Sequence, residues 1–510
     1  MKMDRAAIPE NDGETLCIPP ASGFAEAIAR NIRSAKERAA ANTHLAKMAE
    51  LARSSALSKA VEYTSSLGLQ APVAPSPLAP VICSGHQPEL FHPGVAFKNI
   101  TLMTAAKALG LTPLFISVDT DVFEAERAAI PSLNDGRIVK TDALIFPQPG
   151  RNRLYETAET ESPDITLERL KAAIGLMDGP RLKIPRSAAE SFLDRLNSSS
   201  MDTPDFTSRS IIIRRAWEKP VGENCLELKV STLSTTGAFL EYAVDILRRL
   251  EDFTAAYNGE LERYRKEHKL RYPINPFPNL GVKAGIAETP FWIIAGAGRE
   301  RAYVEKLGGS LTMVSESGSL FEMEDILAGR AQIRPKAITL SIFLRLFVCD
   351  FFIHGCGGAK YDAISDGIMR KFYGIQPPEY ACVSATLWPG AEAENPARRM
   401  EEIHGSLRDI EQKPELTAPP GAEAAALTGE KARLVEAIKY PGADRKAIGR
   451  RIKEINSALS AMQEPARKAL AGELEHLTSL EKQWQAATAR DYPFFIFDPA
   501  RLVRIAGKEL

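Results

Sequence analysis

The 510-residue chain has no excess charge of one sign and no long apolar run. Its formal net charge is -1 at pH 7, which argues against nucleic acid or an anionic membrane as the main partner. No apolar stretch approaches the roughly 18 residues that a membrane span needs. The N-terminal sequence, MKMDRAAIPENDGETL, lacks the apolar core of a secretory signal. The sequence therefore predicts a cytoplasmic protein.

The chain also lacks the motifs of several common sites. Its six cysteines are scattered, and no two have the Cys-x-x-Cys spacing of a zinc site, so we expect buried thiols and no metal held by side chains alone. The glycines at 296–299 do not form a Gly-x-Gly-x-x-Gly fingerprint, and those at 355–358 do not form a Walker A loop. A familiar dinucleotide or P-loop site is not indicated.

The length and composition indicate a soluble protein of several domains. The chain is 45% apolar and 25% charged, and its length predicts roughly two to four domains. We divide it into an N-terminal helical region (1–70), an α/β core (71–390) with an insertion at about 137–210, a helical hairpin (391–490) and a C-terminal return to the core (491–510). The first region contains a helical pattern from about 20 to 67, and proline-rich residues 71–80 form a linker.

The core begins with the pattern of a β-strand, an α-helix and a second β-strand. Apolar Val81–Cys83 predicts the first strand, Gly94–Leu109 the helix, and Pro113–Val118 the second strand. Such units build parallel sheets, and ligands bind at the carboxyl ends of parallel strands. A Rossmann-like sheet with a ligand site after these two strands is predicted.

Polar residues after each strand are candidates for that site. His86 and His92 at a helix start could donate to a phosphate and stabilise it during nucleotidyl transfer, or they could merely cap the helix. Asp119 and Asp121 could hold Mg²⁺, an amine or ribose hydroxyls, or could cap a helix from a solvated loop. The helix after the histidines adds two further candidates, Lys98 and Asn99.

A second glycine-rich segment, HGCGGAKYD, follows a long apolar stretch. We predict that Ile338–Phe352 is one buried helix, that the glycines form a turn with positive φ, and that a helix follows from about Tyr361. Gly357, Gly358 and Lys360 would then make an anion cradle. Cys356 is a weaker candidate for a nucleophile, because His354 two residues away on a turn is poorly placed for proton transfer.

The other predicted elements complete the core and add a helical appendage. Ser210–Arg214 is a branched-aliphatic run that predicts a strand, residues 237–270 predict one or two amphipathic helices, and residues 288–318 predict three strands. Between 395 and 490 apolar residues recur at spacings of three and four, which predicts an antiparallel helical hairpin or coiled coil. Two amphipathic helices docked on the core would give a similar pattern. The seam residues are Ile448, Ile452, Ile455, Leu459, Met462, Leu470, Leu474, Leu477, Leu480 and Trp484.

The segments GHQPELFHPGVAFKNI, PLFISVDTDVFEAE and GGAKYD, followed by the helical hairpin, resemble the bacillithiol biosynthesis cysteine-adding enzyme family (BshC). The resemblance covers about residues 80–380. It implies a Rossmann-like core of the class I nucleotidyl-transfer type, an adenine nucleotide (ATP or ADP) with its Mg²⁺, and a homodimer formed through the coiled coil. It further implies a ligase that joins cysteine to glucosaminyl malate in an amide bond.

The resemblance also implies individual site residues. Gly85 and Gln87 lie in the first turn, Gly94 to Lys98 form the helix start, and the carboxylates and the double glycine follow. The chain departs from the family where Gly-Gln-Gln becomes Gly-His-Gln, Asp-His-Asp becomes Asp-Thr-Asp, and the Gly-Glu pair after the double glycine becomes Ala-Lys-Tyr-Asp. A different amine or acid substrate is compatible with these changes. The alternatives to a ligase are a non-catalytic nucleotide- or metabolite-binding dimer and a thiol-dependent hydrolase that uses Cys356.

Overall fold

The computed structural model describes the chain except residues 1–6, 72–79, 178–181, 183, 185, 204, 223–224, 273, 275, 284–285, 308–309, 391–394 and 510. The chain divides into two compact units. The first comprises residues up to 132, 140–389 and 490–510, and the second comprises 133–139 and 390–489. Most of the predicted proline-rich linker at 71–80 lies outside the described residues.

The described part of the chain is a mixture of α-helices and shorter β-strands. The strands are β1 (Thr15–Ile18), β2 (Val81–His86), β3 (Thr112–Ser117), β4 (Glu126–Asn134), β5 (Arg137–Phe146), β6 (Leu226–Lys229), β7 (Val282–Lys283), β8 (Ile286–Ala295), β9 (Gly298–Leu307), β10 (Ser310–Ser315), β11 (Leu320–Glu322), β12 (Ile333–Pro335), β13 (Phe351–His354) and β14 (Tyr380–Ala385). The helices of the first unit are α1 (Phe24–Ala41), α2 (Thr43–Ser66), α3 (Pro93–Leu109), α4 (Pro163–Gly175), α5 (Arg186–Asn197), α6 (Phe206–Glu218), α7 (Val230–Leu233), α8 (Gly237–Arg248), α9 (Leu250–Glu267), α10 (Met323–Leu327), α11 (Ala337–Phe343), α12 (Cys356–Phe372) and, after the second unit, the C-terminal helix Pro499–Glu509.

The main sheet has the strand order β1-β14-β13-β2-β3-β6. The neighbours from β14 to β6 pair in parallel, and β1 is antiparallel to β14 at one edge. One large apolar core includes residues of this sheet and of α2, α8, α9 and α12. The predicted mixed α/β class with a mostly parallel sheet is confirmed.

The predicted strand, helix and strand at the start of the core are also confirmed. β2 pairs with β3 in parallel along its whole length, and α3 connects them. Pro93 occupies the first turn of α3, and Gly110 ends the helix with φ 66°, the left-handed conformation that glycine adopts most easily. The local signals for both helix ends are therefore the ones that the structure uses.

A second, antiparallel sheet lies in the same unit. Its order is β11-β10-β9-β8-β12, with β7 paired to β8, and it contains the three strands predicted between 288 and 318. β4 and β5 form a separate two-stranded sheet, of which only β5 lies in the predicted insertion. The helix predicted over 20–67 is two helices, because Asn42 ends α1 and caps α2 by accepting hydrogen bonds from the N–H groups of His44 and Leu45.

The strand predicted over Ser210–Arg214 is wrong. These residues lie inside α6, every residue of which is buried. Asp205 caps the helix by accepting a hydrogen bond from the Ser208 N–H at 2.9 Å. A short aliphatic run does not distinguish a buried strand from a buried helix, and the cap at Asp205, five residues before the run, favours the helix.

The single helix predicted over Ile338–Phe352 is also wrong. α11 ends at Phe343, a π-helical turn covers Leu344–Val348, and β13 follows as a strand of the main sheet. Asp350 lies at the break, where its carboxylate accepts a hydrogen bond from the Val81 N–H at 2.7 Å. This bond ties the start of β13 to the start of β2 and directs the rest of the apolar run into the sheet.

The second unit contains four helices among its described residues: α13 (Ala397–Gln412), α14 (Ala422–Ala437), α15 (Arg445–Met462) and α16 (Glu464–Thr488). The C-terminal helix of the first unit is therefore α17. Helices α15 and α16 carry the predicted apolar seams, but α15 packs mainly against α14 and α16 mainly against α13. Ile455 and Leu459 of α15 form a small buried cluster with Ala424 of α14.

None of the described helices is both long enough and apolar enough to cross a lipid bilayer.

Candidate functional site

A cavity of about 220 Å³ lies at the carboxyl ends of β2, β3 and β13. Its walls are mainly apolar and come from these strands, α11 and α12. Phe277 and Tyr361 contribute aromatic rings whose centroids are 5.3 Å apart. The polar residues that line the cavity are Gln87, Asp121, Ser341, His354, Tyr361, Asp362 and Ser365.

Four of the predicted site residues line this cavity: Gly85, Gln87, Asp121 and Gly358. The Gln87 amide donates to the Asp121 carboxylate at 2.9 Å, and Arg299 donates to the other oxygen at 2.7 Å. Asp121 therefore already forms an ion pair with Arg299. A Cβ on Gly85 would lie 2.7 Å from the Ile116 carbonyl oxygen, so glycine is required there for the pairing of β2 with β3.

His92 caps α3 and does not line the cavity. Its Nδ1 accepts a hydrogen bond from the Gly94 N–H at 3.0 Å, and burial lowers its pKa to about 4. The ring is therefore neutral at pH 7. Of the two predicted roles of His92, the structure shows the helix cap.

His86 is also neutral, because burial lowers its pKa to about 3. Its ring packs edge-on against Phe91, with ring centroids 5.5 Å apart. His86, at the end of β2, and His92, at the start of α3, therefore do not supply a positive charge that could stabilise a phosphoryl group at pH 7.

Asp119 is separated from Asp121 by its hydrogen bonds. It is fully buried and accepts hydrogen bonds from the Ser231 N–H at 2.9 Å and the Ser231 hydroxyl at 2.5 Å. Burial raises its pKa to about 6. Asp119 thus ties the end of β3 to α7 and does not line the cavity, whereas Asp121 does. The structure therefore does not bring the two predicted carboxylates together at the cavity.

Lys98 and Asn99 diverge because consecutive residues of a helix point about 100° apart. The buried Lys98 ammonium donates to the Gly85 carbonyl at 2.7 Å, and burial lowers its pKa to about 7. The Asn99 amide donates to Glu218 in α6 at 3.0 Å. Lys98 therefore reaches the end of β2, whereas Asn99 belongs to a buried polar cluster and is not part of the cavity.

The predicted glycine turn is the first turn of α12. Gly357 and Gly358 have ordinary helical conformation and are not among the glycines with positive φ. A Cβ on Gly358 would lie 2.9 Å from His354 Nδ1, whereas one on Gly357 would meet nothing within 4 Å. Lys360 lies in the same helix and does not line the cavity.

Gly94 is likewise a packing residue. A Cβ there would lie 2.9 Å from the Ala385 carbonyl oxygen and 2.7 Å from Arg490 Nη2. The small residue therefore allows the start of α3 to approach β14. Gly94 does not line the cavity.

The most polar part of the cavity is a pair that the sequence reasoning missed, His354 and Asp362. His354 Nε2 lies 2.9 Å from Asp362 Oδ2, Arg345 Nη1 lies 2.6 Å from the same oxygen, and Ser341 donates to Oδ1 at 2.5 Å. Burial alone would raise the pKa of Asp362, but Arg345 and His354 outweigh it and hold the pKa well below its usual range. The carboxylate is therefore ionised and can fix the orientation of the histidine ring.

A signal for this pair was present in the sequence. His354 ends an apolar run next to Gly355, and Asp362 follows eight residues later in a helical pattern. The prediction of one helix through Phe352 hid it, because it removed the strand end on which His354 lies.

Comparisons with known proteins do not assign the chain to a family. No protein-family model matches it, and neither does any curated protein.

Proposed function

We propose that the main sheet is a Rossmann-like nucleotide-binding core and that its cavity binds an adenine nucleotide. In the order β6-β3-β2-β13-β14, the chain first adds β3 and β6 on one side of β2 and later adds β13 and β14 on the other side. In such sheets the ligand binds where the strand order reverses. The observation that carries the proposal is that the cavity lies there, between Gly85 at the end of β2 and His354 at the end of β13.

The residues of the cavity fit part of a nucleotide. Pockets for complete ligands measure about 300–1,000 Å³, so about 220 Å³ suits one portion, and the apolar walls suit a purine base. Gln87 and Ser341 are polar groups that could orient the base. The free amides at the start of α12, together with Lys360, favour a phosphate.

The reaction that we propose is ATP-dependent amide formation. The resemblance to the BshC family points to cysteine as the acid and glucosaminyl malate as the amine. ATP supplies, when bound, the activation that a carboxylate needs to form an amide in water. His354 acts as the general base: its Nε2–H donates to Asp362, which leaves Nδ1 to accept a proton from the attacking amine. Arg345 keeps Asp362 ionised in this role.

The proposal includes a homodimer formed through the second unit as a coiled coil. Several large apolar side chains of this unit are exposed, including Leu416, Val435, Tyr440 and Leu480. Light scattering of the purified protein would test the dimer, and a monomer at micromolar concentration would contradict it.

Mass spectrometry of the protein with ATP, cysteine and glucosaminyl malate tests the reaction. We expect a product with the mass of the cysteinyl amide and a matching loss of ATP. Omission of the amine serves as the control and should abolish the product. If neither product nor ATP consumption is seen with any amine acceptor, although ATP binds, the ligase proposal is wrong.

The second candidate is a non-catalytic nucleotide- or metabolite-binding protein. It is favoured by the observation that His92 and Asp119, which the sequence placed at the reaction centre, bond to the fold itself. Binding of labelled ATP without any consumption would support this candidate.

A further inference from the structure

A second cavity, of about 620 Å³, lies on one face of the antiparallel sheet. Its walls come mainly from β7, β8, β9 and β10, and the proposed ligase reaction does not use it. Its volume falls within the range of about 300–1,000 Å³ that is typical of sites for complete small molecules. The size therefore allows a whole ligand, whereas the cavity of the main sheet suits part of one.

Strand β9 supplies the centre of this second cavity. Arg301, Tyr303 and Glu305 alternate along the strand, so their side chains lie on the same face of the sheet. Val314 in β10 pairs with Tyr303, and Ile286 in β8 adds an apolar side chain that is 36% exposed. A ligand would therefore meet an apolar floor with charged side chains at both ends.

Two residues of opposite charge are neighbours at one end of the cavity but do not pair. The backbone N–H of Glu316, which follows β10, donates to the Arg301 carbonyl at 3.0 Å. Opposite charges at such neighbouring positions attract each other. Among the described residues, however, neither side chain has an ion-pair or hydrogen-bond partner. Both charges are therefore available to a ligand placed between them.

Glu305 lies at the other end of the cavity. It is half-buried, and its carboxylate also has no partner in the part of the chain that the structure describes. It follows Arg301 by four residues, roughly 13 Å along an extended strand. Glu288 differs, because its carboxylate accepts hydrogen bonds from the Lys336 ammonium at 2.7 Å and the Gly281 N–H at 3.0 Å. The cavity therefore presents one cation and two carboxylates that no described residue neutralises.

These three charges restrict the kind of ligand that the cavity can bind. An apolar ligand would cover Arg301 and Glu305 without giving them partners, which costs free energy. A ligand with only negative charge would meet two carboxylates, and an amine without an acid group would leave Arg301 unpaired. A ligand that matches all three charges has one acid group and two cationic groups, with an apolar stem between its ends.

We propose that the cavity on the antiparallel sheet binds a basic α-amino acid. The ligand's carboxylate pairs with Arg301, its α-ammonium with Glu316 and its distal cation with Glu305. Its methylene stem covers Tyr303 and Val314, which lie between the charged ends. Each of the three contacts joins two ionised groups, the strongest class of hydrogen bond in proteins. Binding involves no nucleotide and no residue of the main-sheet cavity, so this proposal is independent of the proposed ligase.

Isothermal titration calorimetry of the full-length protein with L-lysine and L-arginine tests the proposal. L-Norleucine keeps the head group and an apolar stem but lacks the distal cation, and cadaverine keeps both amines but lacks the carboxylate. Each of these two should bind at least about tenfold more weakly than lysine, because each loses one contact between charged groups. Absence of binding by both lysine and arginine at millimolar concentration, or equal affinities for lysine and norleucine, would overturn the proposal.

Variants of the lining residues assign the contacts in the same titration. Glu305→Gln should remove most of the preference for lysine over norleucine, whereas Arg301→Gln should weaken the binding of both about tenfold or more. Glu300→Gln is the matched control, because Glu300 precedes Arg301 in β9, lies on the other face of the strand and does not line the cavity. This variant should bind lysine as the wild type does. A Glu305→Gln protein that keeps the full preference for lysine would show that the cavity is not the binding site.

Discussion

Two histidine-bearing segments lie at the carboxyl edge of the same parallel sheet, one after β2 and the other at the end of β13. His92 bonds to the backbone of the helix that follows it, two residues along the chain. His354 bonds to Asp362, and that carboxylate is in turn held by Arg345 beside the cavity. The first arrangement consumes the acceptor nitrogen of a neutral ring. The second leaves one nitrogen of the His354 ring available and places an ionised carboxylate beside the other. Position at the sheet edge is therefore not sufficient for chemistry, and the hydrogen-bond partner decides.

The largest expected effect is a difference in kcat between a variant of His354 and a variant of His92. His354→Gln should lower kcat by about 100- to 10,000-fold, the usual contribution of a general base. His92→Asn is the matched control, because asparagine also caps a helix, and it should leave kcat within about twofold of the wild type. The measurement is amide formation by mass spectrometry at saturating substrates. Equal losses in the two variants would remove the distinction between the segments.

The next effect concerns the charges that support His354. Arg345→Met removes the arginine from the buried Asp362 and the partly exposed Asp366, which should cost about 3–5 kcal/mol of unfolding free energy. Urea unfolding of the full chain measures this loss. The exposed pair Arg399–Glu473 provides the control, and Arg399→Met should change stability little. An Arg345→Met protein as stable as the wild type would show that Arg345 does not balance the charges of Asp362 and Asp366.

The pH dependence of the unfolding free energy tests whether His92, at the start of α3, is a neutral helix cap. The folded pKa of His92 is about 4, below the value of about 6.5 expected in the unfolded chain. The unfolded chain therefore binds the proton first, so that the stability contributed by His92 is complete above pH 6.5 and is lost as the pH falls towards 4. Relative to His92→Asn, which does not titrate, the wild type should lose about 1.4 kcal/mol per pH unit between about pH 6 and 4.5. Denaturant unfolding at several pH values measures this difference, and a constant difference would contradict the neutral, buried cap.

The smallest effect compares the two glycines of α12. Gly357→Ala should stabilise the protein by about 0.5–1 kcal/mol, because alanine favours a helix and has open space there. Gly358→Ala places a methyl group 2.9 Å from His354 Nδ1, so it should lose that gain and reduce turnover. Thermal unfolding and product formation measure the two consequences. If the Gly358→Ala protein is as active as Gly357→Ala, Nδ1 of His354 is not the nitrogen that accepts the proton.

The sequence predictions succeeded where the signal for an element lies in the element itself or beside it. Pro93 and Gly110 mark the two ends of α3, and the strands before and after this helix, β2 and β3, form as predicted. The apolar run 338–352 carried no such local mark except Asp350, whose partner Val81 lies far away in the sequence. The predictions failed there and at Ser210–Arg214, where period alone cannot separate a buried strand from a buried helix.

The amino-acid sequence by itself determined the kinds and the order of most elements, since caps, prolines, glycines and apolar periods act over a few residues. It also determined that histidines and carboxylates would follow the strands of a parallel sheet. Only the tertiary structure decided which of them meet. His354 and Asp362 line one cavity, with Arg345 bonded to Asp362, because β13 inserts beside β2. His92 and Asp119 instead bond to a backbone amide and to Ser231. Buried polar groups must be paired, and which partner is within reach depends on the packing of distant segments.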